Sequence, residues 1–420
     1  MRKMKDSGIE WLGMIPEDWE TERLQWHISE IKESNKPEKS RRILSLTNKR
    51  GVIPYEEKGA QGNVAKEDYT QYKLAYPGTI VANSMNILIG SVGKCDYFGC
   101  VSPVYYVFKP NNGENLEFIN YIFQTEQFQK ELRRYANGIL EIRLRVSSDG
   151  ILKRKVPFPS IYEQDQIVST IESSTSKVDA LIANVQEQIE KLKAYKQSLI
   201  TEVVTKGLDP NVPMKDSGVE WIGEIPKCWN MVRGKALFEE CDARSDDGSE
   251  ELLTVSQYTG VTPRSQKSVN MFESTTLEGY KICEVGDIAA NTMWLWAGAI
   301  GVSEYRGVIS PSYNVYRQKE IKYISSYLDC LLRIPLLVQE YASRSTGIRA
   351  SRLRLYPKDF MDIMFPVPPI EEQKTIMDIL GKKIDMVNQM ISIKQSKIEK
   401  LEQYKRSLIY EYVTGKKEVS

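Results

Sequence analysis

Two stretches of this chain carry the same seven-residue beat. In residues 163–206, Ile171, Val178, Val185, Leu192 and Leu199 recur at every seventh position, and Ile182, Ile189 and Val203 fill the position four further on. In residues 371–414 the same places are taken by Leu380, Val387, Leu401 and Leu408, with Ile384, Ile391, Ile398 and Tyr412. An apolar seam at this spacing predicts coiled-coil helices. Pro157 and Pro159 precede the first stretch, and Pro366, Pro368 and Pro369 precede the second; Gly207 and Gly415 close them. At the helical rise, each would extend roughly 65 Å. A stripe of that length needs covering, and the nearest match is its own copy. An antiparallel pair, relating the two halves by a pseudo-two-fold axis, is therefore expected. Thr175, Lys196, Lys394 and Lys405 interrupt the seam and are placed to set its register. Packing of each helix into a neighbouring globular core is the alternative, but the outer faces (Gln186, Glu187, Glu190, Lys191, Lys193) are strongly polar.

The rest of the chain reads as mixed α/β with many short strands. Ile43–Thr47, Thr79–Ala82, Val104–Phe108, Leu252–Val255 and Tyr313–Tyr316 are rich in β-branched and aromatic residues and are bounded by Gly, Asn and Pro. Helical patches follow at 115–136 and 321–342.

The chain also repeats itself at an offset of about 210. Met4–Glu20 returns as Met214–Asn230 with eleven of seventeen positions identical, including Lys-Asp-Ser-Gly-x-Glu-Trp-x-Gly-x-Ile-Pro. Ile189–Ile200 returns as Ile398–Ile409. Between these anchors a skeleton survives: Pro77–Met85 against Val285–Met293, Gly90–Gly93 against Gly298–Gly301, Ser102-Pro103 against Ser310-Pro311, and Gly138-Ile139 with Arg143 and Arg145 against Gly347-Ile348 with Arg352 and Arg354. The fold class is accordingly α/β (α+β): two mixed domains separated by two long antiparallel helices. The linear division is a lead-in segment (1–20), a variable domain (21–157), a central helix (158–210), a second lead-in (211–230), a second variable domain (231–366) and a C-terminal helix (367–420).

Chemistry of the catalytic kind is hard to find. No phosphate-binding glycine loop, dinucleotide fingerprint or zinc-protease motif occurs, and no Asn/Asp-Pro-Pro-aromatic tetrapeptide of an amino-methyltransferase. One histidine, His27, sits between Trp26 and Ile28 and reads as packed. Six cysteines without a CxxC pair read as free thiols, with no cofactor or metal expected in this chain. The longest apolar runs are far too short to span a bilayer, and nothing at the N-terminus resembles an export signal, so a cytoplasmic location is expected.

Net charge is only +1, but it is uneven. Residues 21–155 hold 21 Lys and Arg against 15 Asp and Glu, whereas residues 231–365 hold 16 against 17. Any grip on nucleic acid has to come from local clusters.

The duplicated lead-in motif, the Pro-x-x-x-Glu-Gln run at 159–164 and 368–373, and the duplicated long helices together resemble the specificity subunits of type I restriction–modification systems. The resemblance covers essentially the whole chain. It implies a non-catalytic protein of the prokaryotic cytoplasm whose two target recognition domains each read one half of a bipartite, asymmetric DNA site. It further implies helices that space the domains and dock two methylation subunits. S-adenosylmethionine would be bound by those partners, and two restriction (motor nuclease) subunits would join them. Competing readings are a coiled-coil adaptor that holds only proteins, and an enzyme without a recognised motif. A scaffold gives no reason to keep duplicated frames while diversifying the inserts.

Three sets of residues are candidates for touching DNA, since base edges need donors and acceptors and phosphates need Lys or Arg. The first is the arginine strip: Arg143 and Arg145, then Arg344, Arg349, Arg352 and Arg354. The second is the polar loop after the shared Ala-Asn strand end: Asn83, Ser84 and Asn86, against Asn291, Thr292, Trp294 and Trp296. Capping of a strand–turn junction competes there, because both copies keep the Asn. The third is Asn48, Lys49 and Arg50, with Gln257 and Tyr258, after the first strand of each domain. Trp11, Trp19, Trp221 and Trp229 are shared by both lead-ins and cannot distinguish two targets, so packing is their expected role.

Overall fold

The computed structural model describes residues 2–47, 50–58, 68–138, 144–267, 276–347 and 353–419. The heptad stretches form helices over Ile161–Lys206 and Ile370–Val413. Gly207 (φ +79°) and Gly415 (φ +69°) end them in the left-handed conformation that glycine adopts without penalty. By contact the chain forms two units, Met1–Gln186 with Gln395–Ser420, and Glu187–Lys394. Each helix is therefore shared between both, where the linear division has it as a separate segment. The reason is the seam: neither helix can bury its stripe alone.

In the first unit a four-stranded antiparallel sheet runs in the order Ile28–Ile31, Tyr105–Pro110, Thr79–Asn83, Val92–Cys95. Its inner face (Ile80, Ala82, Phe108) packs on Phe118, Ile122 and Phe128. The patch expected at 115–136 splits into helices Leu116–Gln124 and Glu126–Arg133, because Asn115 and Thr125 each turn a side-chain oxygen onto the backbone N–H groups that follow. Ile167 and Ile171 of the first long helix join the same core, as do Leu408 and Tyr412 of the second. Lys405 Nζ reaches Asp179 at 2.7 Å across that seam, while Thr175 turns its hydroxyl back onto Ile171 O of its own helix.

The second unit repeats the plan. The sheet order is Phe238–Cys241, Asn314–Gln318, Ile288–Ala290, Ile300–Val302. The helical patch at 321–342 divides into Ser325–Leu332 and Pro335–Arg344, with Pro335 opening the second helix. Leu199, Val203, Ile376 and Leu380 of the long helices share its core. Lys196 Nζ bonds Asn388 Oδ1 at 2.9 Å, and Lys394 bonds Gln188. As numbers rise on one helix they fall on the other in each unit, so the pairing is antiparallel. Three of the four polar seam residues bond across it.

Each variable domain is closed by a two-stranded clamp. Glu20–Arg23 pairs antiparallel with Lys155–Phe158, and Asn230–Arg233 with Met364–Val367. Beside the clamp the second tryptophan of each lead-in, Trp19 or Trp229, is buried, and its indole N–H donates to a carboxylate at the start of a long helix. Trp19 Nε1 to Glu163 Oε2 is 3.0 Å and Trp229 Nε1 to Glu372 Oε2 is 2.9 Å. The next residue locks the helix to its own approach: Gln164 Nε2 donates to Pro159 O, and Gln373 Nε2 donates to Pro368 O and Lys322 O. The Pro-x-x-x-Glu-Gln run is thus the socket for the second lead-in tryptophan. Shared tryptophans pack, as their duplication implies.

Candidate nucleic-acid interface

The loop after the third strand of each sheet is built twice on one template. Asn83 N donates to Ser91 O, Asn86 N to Asn83 O, Gly90 N to Ile87 O, Ser91 N to Asn86 O and Val92 N to Gly90 O. The same five bonds recur in the second unit: Asn291 to Ala299, Trp294 to Asn291, Gly298 to Leu295, Ala299 to Trp294 and Ile300 to Gly298. Ile87 and Leu295 anchor the loops in the core, and Gly90 and Gly298 take positive φ. Asn83 and Asn291 are buried, and their side-chain oxygens accept from Met85 N and Met293 N; Asn291 also donates to Tyr313 Oη at 2.8 Å. Both residues are junction caps, correcting their candidacy as base readers. Ser84 is buried too, and Thr292 donates its hydroxyl to Ser312 O. What the loops do present differs: Asn86 and Ile89 in the first, Met293 and Trp294 in the second.

A second element comes close to each loop. The hairpin Leu44–Thr47/Gly51–Pro54 packs its second strand on the strand following the first loop, and Leu253–Ser256/Gly260–Pro263 does so in the second unit. Glycines make this approach possible: a Cβ on Gly93 would lie 2.7 Å from Gly51 Cα, and one on Gly301 3.1 Å from Gly260 Cα. Arg50 is exposed and ion-paired with Glu57 at 2.6 Å. Gln257 and Tyr258 are exposed; Arg333 fixes their turn by donating to both carbonyl oxygens. Arg333 carries no sequence signal for that role, because its partners are backbone atoms about 75 residues away.

The arginine strip is only partly described. Asn48, Lys49, Arg143, Arg349 and Arg352 lie outside the described residues. Arg145 is exposed and pairs with Asn137 in a short hairpin, and Val146 N donates to Ser84 O, so the strip adjoins the Asn83 loop. Arg354 is exposed and pairs with Thr346 through both backbone bonds. Arg344 is ion-paired at 2.6 Å with Glu340, one turn earlier on its helix. Lys130 and Arg133 are exposed near the end of helix Glu126–Arg133, where Gln129 meets the glycine of the first loop. Sequence reasoning passed over them because nothing marks them apart from other helix-surface cations.

Reactive chemistry is not assembled here. His27 lies between Glu22 Oε2 (2.9 Å) and Glu114 Oε1 (3.2 Å), stacked on Phe158. The cysteines are free; burial pushes the Cys283 thiol up to about 12 and the Cys330 thiol to about 11. Among the described residues no cluster of three His, Cys, Asp or Glu is placed to hold a metal, and no helix is long and apolar enough to cross a membrane.

Comparison with known proteins matches this architecture. The family model of the type I restriction modification DNA specificity domain fits residues 16–191. A Methanocaldococcus jannaschii protein named as the MjaX type I restriction enzyme specificity subunit is 23% identical over 437 residues, covering 96% of this chain and 95% of that protein. The MjaVIII specificity subunit of the same organism is 24% identical over 274 residues, 62% of each chain. A chain from a study of complex assembly and conformational transition of the type I R-M system has the same fold. It gives a TM-score of 0.63 at 13% identity, covering 96% of this chain and 99% of that one. Residues 16–191 thus match a type I restriction modification DNA specificity domain, and along almost its whole length the chain is similar to type I restriction enzyme specificity subunits.

Proposed function

We propose that each variable domain reads one half of a bipartite, asymmetric DNA site on behalf of partner subunits. The observation that carries this reading is the doubled loop: its bonds and buried anchors are held constant, and the side chains it turns outward are not. Scaffold and message are separated residue by residue, as two readers on a common frame require. Asn86, Arg50, Arg145, Lys130 and Arg133 form the first domain's contact set; Tyr258, Gln257, Trp294, Arg344 and Arg354 form the second's. Lys and Arg serve phosphates, and the amides and aromatics serve bases. Lys49, Arg143, Arg349 and Arg352 extend these sets by sequence.

Catalysis belongs to the partners. Two methylation subunits carrying S-adenosylmethionine dock on the long helices, and two restriction subunits complete the assembly in the cytoplasm. Exchange of residues 231–365 for those of a relative with another target tests the assignment. Sequencing of the modified bases in the host is expected to show one half of the methylated motif changed and the other retained. A change in both halves would overturn the one-domain, one-half assignment.

A further inference from the structure

The loop of the second domain carries an aromatic pair that its frame does not need. Trp294 is 51% exposed, and Trp296 stacks beneath it with ring centroids 5.7 Å apart and planes 25° from parallel. The first domain builds the same loop, with the same five backbone bonds, using Asn86 and Leu88 at these two positions. Folding therefore does not call for the indoles. Stacking does not hide them either, since half of Trp294 remains in water.

The loop that carries the pair is anchored on both sides. Leu295, between the two tryptophans, is fully buried, and Gly298 closes the loop against Val338 of helix Pro335–Arg344. Trp296 Nε1 donates to Met293 O at 2.9 Å, which leaves that ring its π face to offer. On the adjacent hairpin Tyr258 is 81% exposed and aligns with Lys49 of the first domain. Where one domain has cations and an amide, the other has aromatic rings, and its Lys and Arg do not outnumber its acids (16 against 17 in residues 231–365).

Resting on the reading that the second domain binds DNA, we propose that Trp294 and Trp296 form a stacking wedge. Trp294 takes the face of a base at a partly unstacked step of the second half-site, and Trp296 backs it. Apolar and aromatic wedges unstack a step at a cost that depends on which step it is, so sequence is read through deformability as well as through base edges. A domain poor in surplus positive charge gains contact energy this way without more phosphate contacts.

The test uses the full-length chain co-expressed with its methylation subunits. The probe is a duplex bearing the host's methylated motif, with 2-aminopurine placed at successive positions in either half. Away from the bases that become methylated, which the methylation subunits themselves draw out of the stack, the wild-type complex is expected to brighten a probe in the second half only. Trp294→Ala is expected to abolish that signal and weaken specific binding by about 5- to 150-fold, the range for loss of one base–aromatic stack. The slope of affinity with salt should stay unchanged, and Trp294→Phe should restore most of the binding. Unchanged fluorescence and affinity in a Trp294→Ala complex that melts normally would overturn the wedge. So would loss of co-purification with the methylation subunits, which would mark the pair as a protein-docking face. Failure of the wild-type complex to bind the motif duplex at all would instead sink the proposed function, and the wedge with it.

Discussion

Residues 83–91 and 291–299 make the same backbone bonds, bury the same two anchors and turn on the same glycine. Yet the first domain carries a surplus of cations and the second does not, and the first loop shows an amide and an isoleucine where the second shows a methionine and an indole. The difference lies mainly in outward side chains. A backbone whose polar groups are internally satisfied tolerates any surface residue, because no buried partner is lost when that residue changes. Diversity is thereby confined to positions that cost the fold little.

The frame itself is the harshest place to test the comparison. Trp19→Ala and Trp229→Ala each remove a buried indole and the bond it donates to Glu163 or Glu372, although Arg2 still donates to Glu163. Each is expected to cost about 3–5 kcal/mol, measured by denaturant unfolding. A small loss at one site would break the equivalence of the two lead-ins. Gly93→Ala and Gly301→Ala probe the hairpin approach next, at about 1–3 kcal/mol each from overpacking. A Cβ on Gly93 meets backbone at 2.7 Å, whereas on Gly301 the nearest atom is Asp329 Oδ1 at 2.9 Å, so the first substitution is expected to cost more.

Arg50→Ala and Tyr258→Ala, at neighbouring positions of the two hairpin turns, sharpen the contrast in DNA contact. If Arg50 meets a phosphate, its loss lowers the salt slope by about 0.9, while loss of Tyr258 leaves the slope alone. Affinity titrations at several salt concentrations check both, and equal slopes would erase the contrast. The smallest effect is expected with acid. Burial raises the Glu114 carboxyl, but bonds from Asn112 N and Glu114's own backbone, with His27, outweigh it and hold the group below its ordinary range. A depressed carboxyl stabilises the fold above its unfolded value and loses that contribution as pH falls through the folded one. The second domain has buried Leu237 in the place of His27. Hydrogen exchange below pH 5 is therefore expected to rise first in the first domain, and Glu114→Gln to remove part of that rise.

Much of this was legible in the residues. The heptad seam, the closing glycines and the repeat each carry a periodic or duplicated signal, and all reappear as geometry. The split of the helical patches at Thr125 and Pro335 was written there too, as a cap and a helix-opening proline. Burial of Asn83 and Asn291 was foreshadowed only by their being shared. Glu340 stands one helical turn from Arg344, a local pairing the spacing allows, whereas Arg333 and the Glu57 partner of Arg50 were hidden entirely. Such contacts depend on which chain segments meet, and on backbone oxygens that every residue possesses.

The clamps at Glu20–Arg23/Lys155–Phe158 and Asn230–Arg233/Met364–Val367 have a consequence for heredity. Because each variable domain leaves its frame at the point where it began, its two chain ends are fixed neighbours whatever lies between. A crossover within the duplicated flanks can deliver a foreign insert without disturbing the tryptophan sockets or the helix seam. New target preferences can then arise by exchange of cassettes rather than by slow remodelling of the whole protein.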